Sequence, residues 1–167
     1  ISRDRSKIDF VELKQYDENF VEKLLSISRN ENQFANRGPI WTLLKNEFEK
    51  HLLHNDDNLR ILPCANGGIA LEILMSLNEI KAKKKLKWAI SSYSFSNLGV
   101  GRTSNSVIID CDMQGLISID ELKKANQSFF RKFDGIIITN PFGAFSINDL
   151  EHIINWANDN NKFLIID

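Results

Sequence analysis

The feature that most constrains this chain is an alternation of short apolar runs with longer stretches whose apolar residues recur every three or four positions. From residue 60 onward it reads "RILPC" (60–64), "GIALEILMSLNEI" (68–80), "KWAIS" (87–91), "SVIID" (106–110), "SIDELKKANQSFF" (118–130), "GIIITN" (135–140), "INDLEHIINWANDN" (147–160) and "FLIID" (163–167). The short runs, nearly continuous in apolar character, suit strands buried on both faces, and the longer periodic stretches suit helices. Strands joined by helical crossovers run parallel, so the pattern predicts a layered α/β domain with a mostly parallel sheet. The helix expected at 118–130 opens with Ser118 and carries Glu121 three residues on, the pattern of a capping box. Upstream, "ENFVEKLLSIS" (18–28) predicts a short amphipathic helix and "NENQFANRGP" (30–39) a loop. A second helix follows through "IWTLLKNEFEKHLL" (40–53), with Trp41, Leu44, Phe48 and Leu52 on one face and Pro39 suited to its first turn.

Composition narrows the function classes. The 167 residues, 43% hydrophobic and 26% charged, are enough for one substantial core. A formal net charge of −1 gives no reason to expect nucleic acid or an anionic membrane as partner. The one basic run, "KAKKKLK" (81–87), follows a predicted helix and reads as its solvated end, with no interleaved aromatic residue on which bases could stack. Cys64 and Cys111 each follow a strand-like run without Cys-x-x-Cys spacing, which reads as reduced thiols in a cytoplasmic protein. His51 and His54 lie three apart, but Asp56 and Asp57 fall beyond the expected helix end, so both read as surface histidines; no metal site is expected. His152 is isolated. No apolar run reaches membrane-spanning length, and the opening "ISRDRSKID" lacks an initiator methionine, as in a processed or trimmed chain.

Ligands of parallel sheets bind beyond the carboxyl ends of the strands. There the chain places "CANGG", "SYSF", "DCD", "NPFG" and Asp167. In "CANGGIAL" (64–71) two glycines stand where a strand is expected to turn into a helix. Asn-Gly is a favoured turn pair, and a glycine pair at a helix start also lets backbone N–H groups approach an anion; both readings stand on the residues alone. "LGVGRTSN" (98–105) does not directly follow a strand and lacks the third glycine of a dinucleotide fingerprint.

Taken in order, these motifs resemble the N-terminal half of the DegT/DnrJ/StrS family of sugar aminotransferases, which use pyridoxal 5′-phosphate on a fold-type-I scaffold. The resemblance runs from "NRGPIW" (36–41) to the end. "NRGPIWTLLKNEFEKHL" is similar to the family's Gly-Pro loop and helix, "CANGGIALEILMSL" to its phosphate loop, and "SYSFSN" to its Thr-Phe motif. "VIIDCDMQGLISIDELKKA" and "IIITNPFGAFSINDLEHIINWANDNNKFLIID" resemble the segments that follow.

The resemblance implies a three-layer α/β fold, as in the large domain of fold-type-I enzymes, with residues 1–35 a helical segment and 36–167 the N-terminal part of that domain. It implies that Gly67 and Gly68 hold the cofactor phosphate, Phe95 stacks on its ring, Asn140 reaches its edge and Asp167 pairs with its pyridine nitrogen. Asn36, Gly38 and Pro39 would form a substrate-side loop. Gly68 stands where the family often has threonine, and Asn140 where it often has histidine. The segment from Phe95 to Asp110 is shorter than usual, and Gly99 and Gly101 disfavour a long helix there. The lysine that bonds the cofactor lies, in the family, beyond the strand ending in this aspartate. The expected function is aminotransfer from an amino-acid donor to a keto-sugar nucleotide in glycan biosynthesis, by a cytoplasmic homodimer. Two alternatives stand beside it: a dehydratase of the same family, with histidine in place of the lysine, and a non-catalytic binding or structural domain.

Overall fold

The computed structural model describes residues 15–53, 56, 58–143 and 147–167. The readings of His54 and Asp57 fall outside these residues. Two compact units divide the chain, Ile1–Pro63 and Cys64–Asp167. The boundary expected after residue 35 falls inside the first of them.

The first unit contains α1 (Glu18–Asn30) and α2 (Pro39–Leu52), which pack on each other. Asp17 caps α1, its carboxylate accepting from the amides of Asn19 and Phe20. Pro39 occupies the first turn of α2, as its fixed φ favours. The connection turns through left-handed backbone at Asn32, Asn36 and Arg37. The face of Trp41, Leu44, Phe48 and Leu52 does not become a core: Trp41 is half-buried, the other three are exposed, and α2 buries no residue. Two short helices supply too little apolar surface to close around such a stripe.

The second unit is built on a sheet of four parallel strands in the order β2-β1-β3-β4. These are β1 (Trp88–Ser91), β2 (Val107–Ile109), β3 (Gly135–Ile138) and β4 (Phe163–Ile166). The strand expected at 60–64 is absent: those residues carry no regular structure. Pro63 removes a ladder donor from the run, and Leu62 is exposed rather than buried on both faces.

Side chains alternate across the sheet and so split the core in two. On one face Ala89, Val107, Ile109, Ile136 and Ile138 meet Leu122 and Ala125 of α4 (Ile119–Gln127) and Ile153 and Ala157 of α5 (Ile147–Asp159). On the other, Trp88, Ile90, Ile137 and Ile165 meet Leu71 and Met75 of α3 (Gly67–Ala82). Helices therefore cover both faces of an all-parallel sheet, a three-layer α/β arrangement. Instead of a long helix, the β1–β2 connection carries two 3₁₀ turns, Ser96–Gly99 and Gly101–Thr103, as its glycines suggested. α4 stops at Gln127 rather than 130, leaving Phe129 and Phe130 exposed and edge-to-face.

Candidate functional site

The chain leaves β1 toward β2 on one side of the sheet and later places β3 on the other. The order thus reverses between β1 and β3, and the loops leaving their carboxyl ends part there to open a crevice. A cleft of about 260 Å³ lies at that point, lined by Tyr93, Ser94 and Phe95 after β1 and by Thr139 and Pro141 after β3.

Local hydrogen bonds fix its walls. Ser91 is buried at the end of β1; its hydroxyl accepts from the Tyr93 amide at 3.1 Å, and its carbonyl accepts from the Ser94 hydroxyl at 3.2 Å. The Tyr93 ring lies against Gly115, where a Cβ would stand 2.8 Å from its Cδ1. Gly115 also has φ +89°, so both its backbone and its contact require glycine. That turn is held by Asp112, whose carboxylate accepts from the amides of Gln114 and Leu116, each at 2.9 Å. Phe95 is 73% exposed, presenting its ring at the mouth of the cleft rather than filling the core. Thr139 Oγ1 is buried without a hydrogen-bond partner among the described residues.

Asn140 and Asp167 continue the parallel ladder past its strands. The Asp167 amide donates to the Ile138 carbonyl at 2.7 Å, and the Asn140 amide to the Asp167 carbonyl at 3.0 Å. Asp167 is exposed, so its carboxylate stands in solvent at the sheet's carboxyl edge.

The short connection from α3 to β1 sets the end of α3 at the start of β1, and hence the start of α3 at the carboxyl edge. There Asn66, in extended backbone, caps the helix: its Oδ1 accepts from the Ile69 amide at 2.9 Å. Its carbonyl takes the Ala70 amide at 3.1 Å. The amides of Gly67 and Gly68, first in the helix, have no acceptor within it. A Cβ at Gly67 would meet nothing within 4 Å, so this glycine leaves open space above the helix start. A bare, dipole-favoured helix end of this kind can hold an anion.

Of the residues singled out in the sequence, Gly67, Gly68, Phe95, Asn140 and Asp167 thus share one sheet edge. Asn36, Gly38 and Pro39 belong to the first unit. Tyr93 and Ser94, which line the cleft, lie in the quoted "SYSF" with no role read for them, and Thr139 lines it as well. Thr139, a hydroxyl directly after the run "GIII", is a signal in plain view. Among the described residues, no three His, Cys, Asp or Glu side chains cluster as a metal site requires. No protein-family model matches the chain.

Proposed function

We propose that this chain carries the cofactor cradle of a pyridoxal-5′-phosphate-dependent aminotransferase acting on a keto-sugar nucleotide. When bound, the cofactor supplies an electron-withdrawing ring that stabilises negative charge developing on the substrate's reacting carbon. The chain's own residues bind and orient it. The amides of Gly67 and Gly68 take phosphate oxygens, and Asn66 holds that turn by capping Ile69. Phe95 offers its exposed face to the ring. Asp167 holds a proton on the pyridine nitrogen, and its backbone tie to Asn140 keeps it at the sheet edge. The nucleotide sugar and an amino-acid donor are the small-molecule partners of a cytoplasmic homodimer.

The observation that carries this reading is the shared carboxyl edge: an anion-competent helix start, an exposed aromatic face and a carboxylate, beside a crevice at the strand-order reversal. Calorimetric titration of the chain with 4′-deoxypyridoxine 5′-phosphate tests it, since this aldehyde-free analogue cannot react with surface lysines. We expect saturable binding, weakened at least about tenfold by Gly68→Asp, which sets a like charge against the phosphate, and weakened by Asp167→Ala. No binding, or binding indifferent to both changes, overturns the reading.

A further inference from the structure

A second and larger cleft, of about 690 Å³, opens at the opposite, amino-terminal edge of the same sheet. Its polar groups fall into two sets. The carboxylates are already engaged. Glu79 accepts from Arg102 Nη1 at 2.7 Å, Lys85 Nζ at 3.1 Å and the Leu86 amide at 3.3 Å. Asp134 accepts from Lys84 Nζ at 2.6 Å and the Lys87 amide at 2.9 Å. Arg102 is tied on both sides, its Nε lying 2.9 Å from Glu72.

What remains is rich in donors. The Lys87 ammonium and the Asn105 amide line the cleft and make no hydrogen bond or ion pair among the described residues. Trp88 and Ser106 line the cleft too, and Trp88 Nε1 and Ser106 Oγ are buried without a partner among the described residues. Trp88 is only 1% exposed. Its placement follows from the sheet. The position beside it on β3 is Gly135, over which the benzo ring lies, so the indole N–H edge turns toward the β2 side. Ser106 precedes β2 by one residue, and the β1–β2 register carried one step back sets it beside Trp88. Two neighbouring strands thus hold, within residues that line one cleft, two buried polar hydrogens with no acceptor among the described residues, and an unmade hydrogen bond of this kind is costly.

We infer that this cleft binds a small oxyanion-bearing ligand, a phosphate or carboxylate group seated against Trp88 Nε1–H and Ser106 Oγ–H with Lys87 as its counter-charge. The unused donors call for an acceptor, and the carboxylates nearby are neutralised by their own cations. Neither floor atom is open to solvent, so seating the ligand displaces rim side chains. Asn105 is exposed and unengaged among the described residues and can swing aside, while the exposed Lys87 ammonium is free to close on the anion. The site lies at the sheet edge away from Phe95 and Asp167 and does not depend on the reading given to them.

The Trp88 indole N–H reports directly on the inference. Among the chain's 3 tryptophans, its resonance in a ¹H–¹⁵N spectrum of the full chain is the one lost in Trp88→Phe. Titration with inorganic phosphate and, separately, with succinate at fixed ionic strength should shift that resonance saturably with at least one anion. The responsive anion names the group recognised. Ser106→Ala, which keeps the fold and the reporter, should weaken that response at least about tenfold. A Trp88 resonance unmoved by either anion overturns the inference, as does a response of unchanged affinity in Ser106→Ala. So does calorimetric phosphate binding that leaves Trp88 unmoved and is lost in Gly68→Asp, because that binding belongs to the start of α3.

Discussion

A Cβ built on Gly135 would stand 2.5 Å from Cζ3 and 2.8 Å from Cε3 of Trp88, and 3.0 Å from Cβ of Phe163. Rings of this size cannot yield inside a two-sided core, because Trp88 belongs to one buried cluster with Met75 of α3, Leu86 and Ile137 of β3. The glycine is therefore a steric requirement of its neighbours on β1 and β4. Gly135→Ala should destabilise the second unit by about 1–3 kcal/mol through overpacking, read as a lower urea midpoint at unchanged m-value. An unchanged midpoint would mean that the Trp88 ring does not lie over this position.

At the scale of the element, α4 shows how a sequence signature divides. Ser118 Oγ accepts from the Glu121 amide at 3.3 Å, the expected cap. The reciprocal half is missing: the Ser118 amide donates to the Asp110 carbonyl at 2.9 Å, and the Glu121 carboxylate pairs with Lys124 at 2.6 Å. Ser118→Ala should therefore cost about 1 kcal/mol in thermal or urea unfolding. Glu121→Gln should cost clearly less, since it breaks only an exposed pair. Equal costs would restore the full capping box. The same contrast explains what could be read in advance. The run "GIII" announced a strand because burial on both faces leaves nothing but apolar residues, "FLII" did so by its apolar run although only Ile165 of it is buried, and the helix caps lay in local chemistry. "RILPC" had the same apolar look and made no strand, because strand formation needs partners that a run does not encode. The α2 stripe failed likewise, its periodicity correct but no covering layer present among the described residues of its unit. Within the site, Asn66–Gly68 was legible as a turn into a helix. The Tyr93–Gly115 contact was not, since it depends on the loops after β1 and β2 meeting in space, and Thr139, visible as a hydroxyl after "GIII", gains its place in the cleft only from the β1 loop across the strand-order reversal.

For the whole molecule, charge is organised around the amino-terminal edge of the sheet. The run "KAKKKLK" is more than a solvated helix end: Lys84 reaches Asp134 and Lys85 reaches Glu79, closing α3 onto the strand starts. Burial by itself would raise the carboxyl pKa of Asp134. The Lys84 hydrogen bond, the Lys87 amide and the charges of Lys84 and Lys162 together outweigh it and hold the pKa below the ordinary value. Glu79 behaves in the same way, burial being outweighed by Lys85, the Leu86 amide and Arg102. A carboxyl group whose pKa is lower folded than unfolded binds more protons in the unfolded chain across the interval between the two values, so stability rises with pH there. The contribution is complete above the unfolded carboxylate values, about 4, and is lost as pH falls through the lowered native ones. The melting temperature should accordingly fall as pH drops below about 4. In Asp134→Asn the acid loss should be shallower, because the group that titrates is gone while an acceptor for the Lys87 amide remains. That variant should begin about 1 kcal/mol less stable at pH 7, the worth of a half-exposed ion pair. Melting curves of the two proteins at pH 3 and pH 7 decide the point: parallel losses on acidification would move the acid sensitivity away from this edge, and converging ones would place it there.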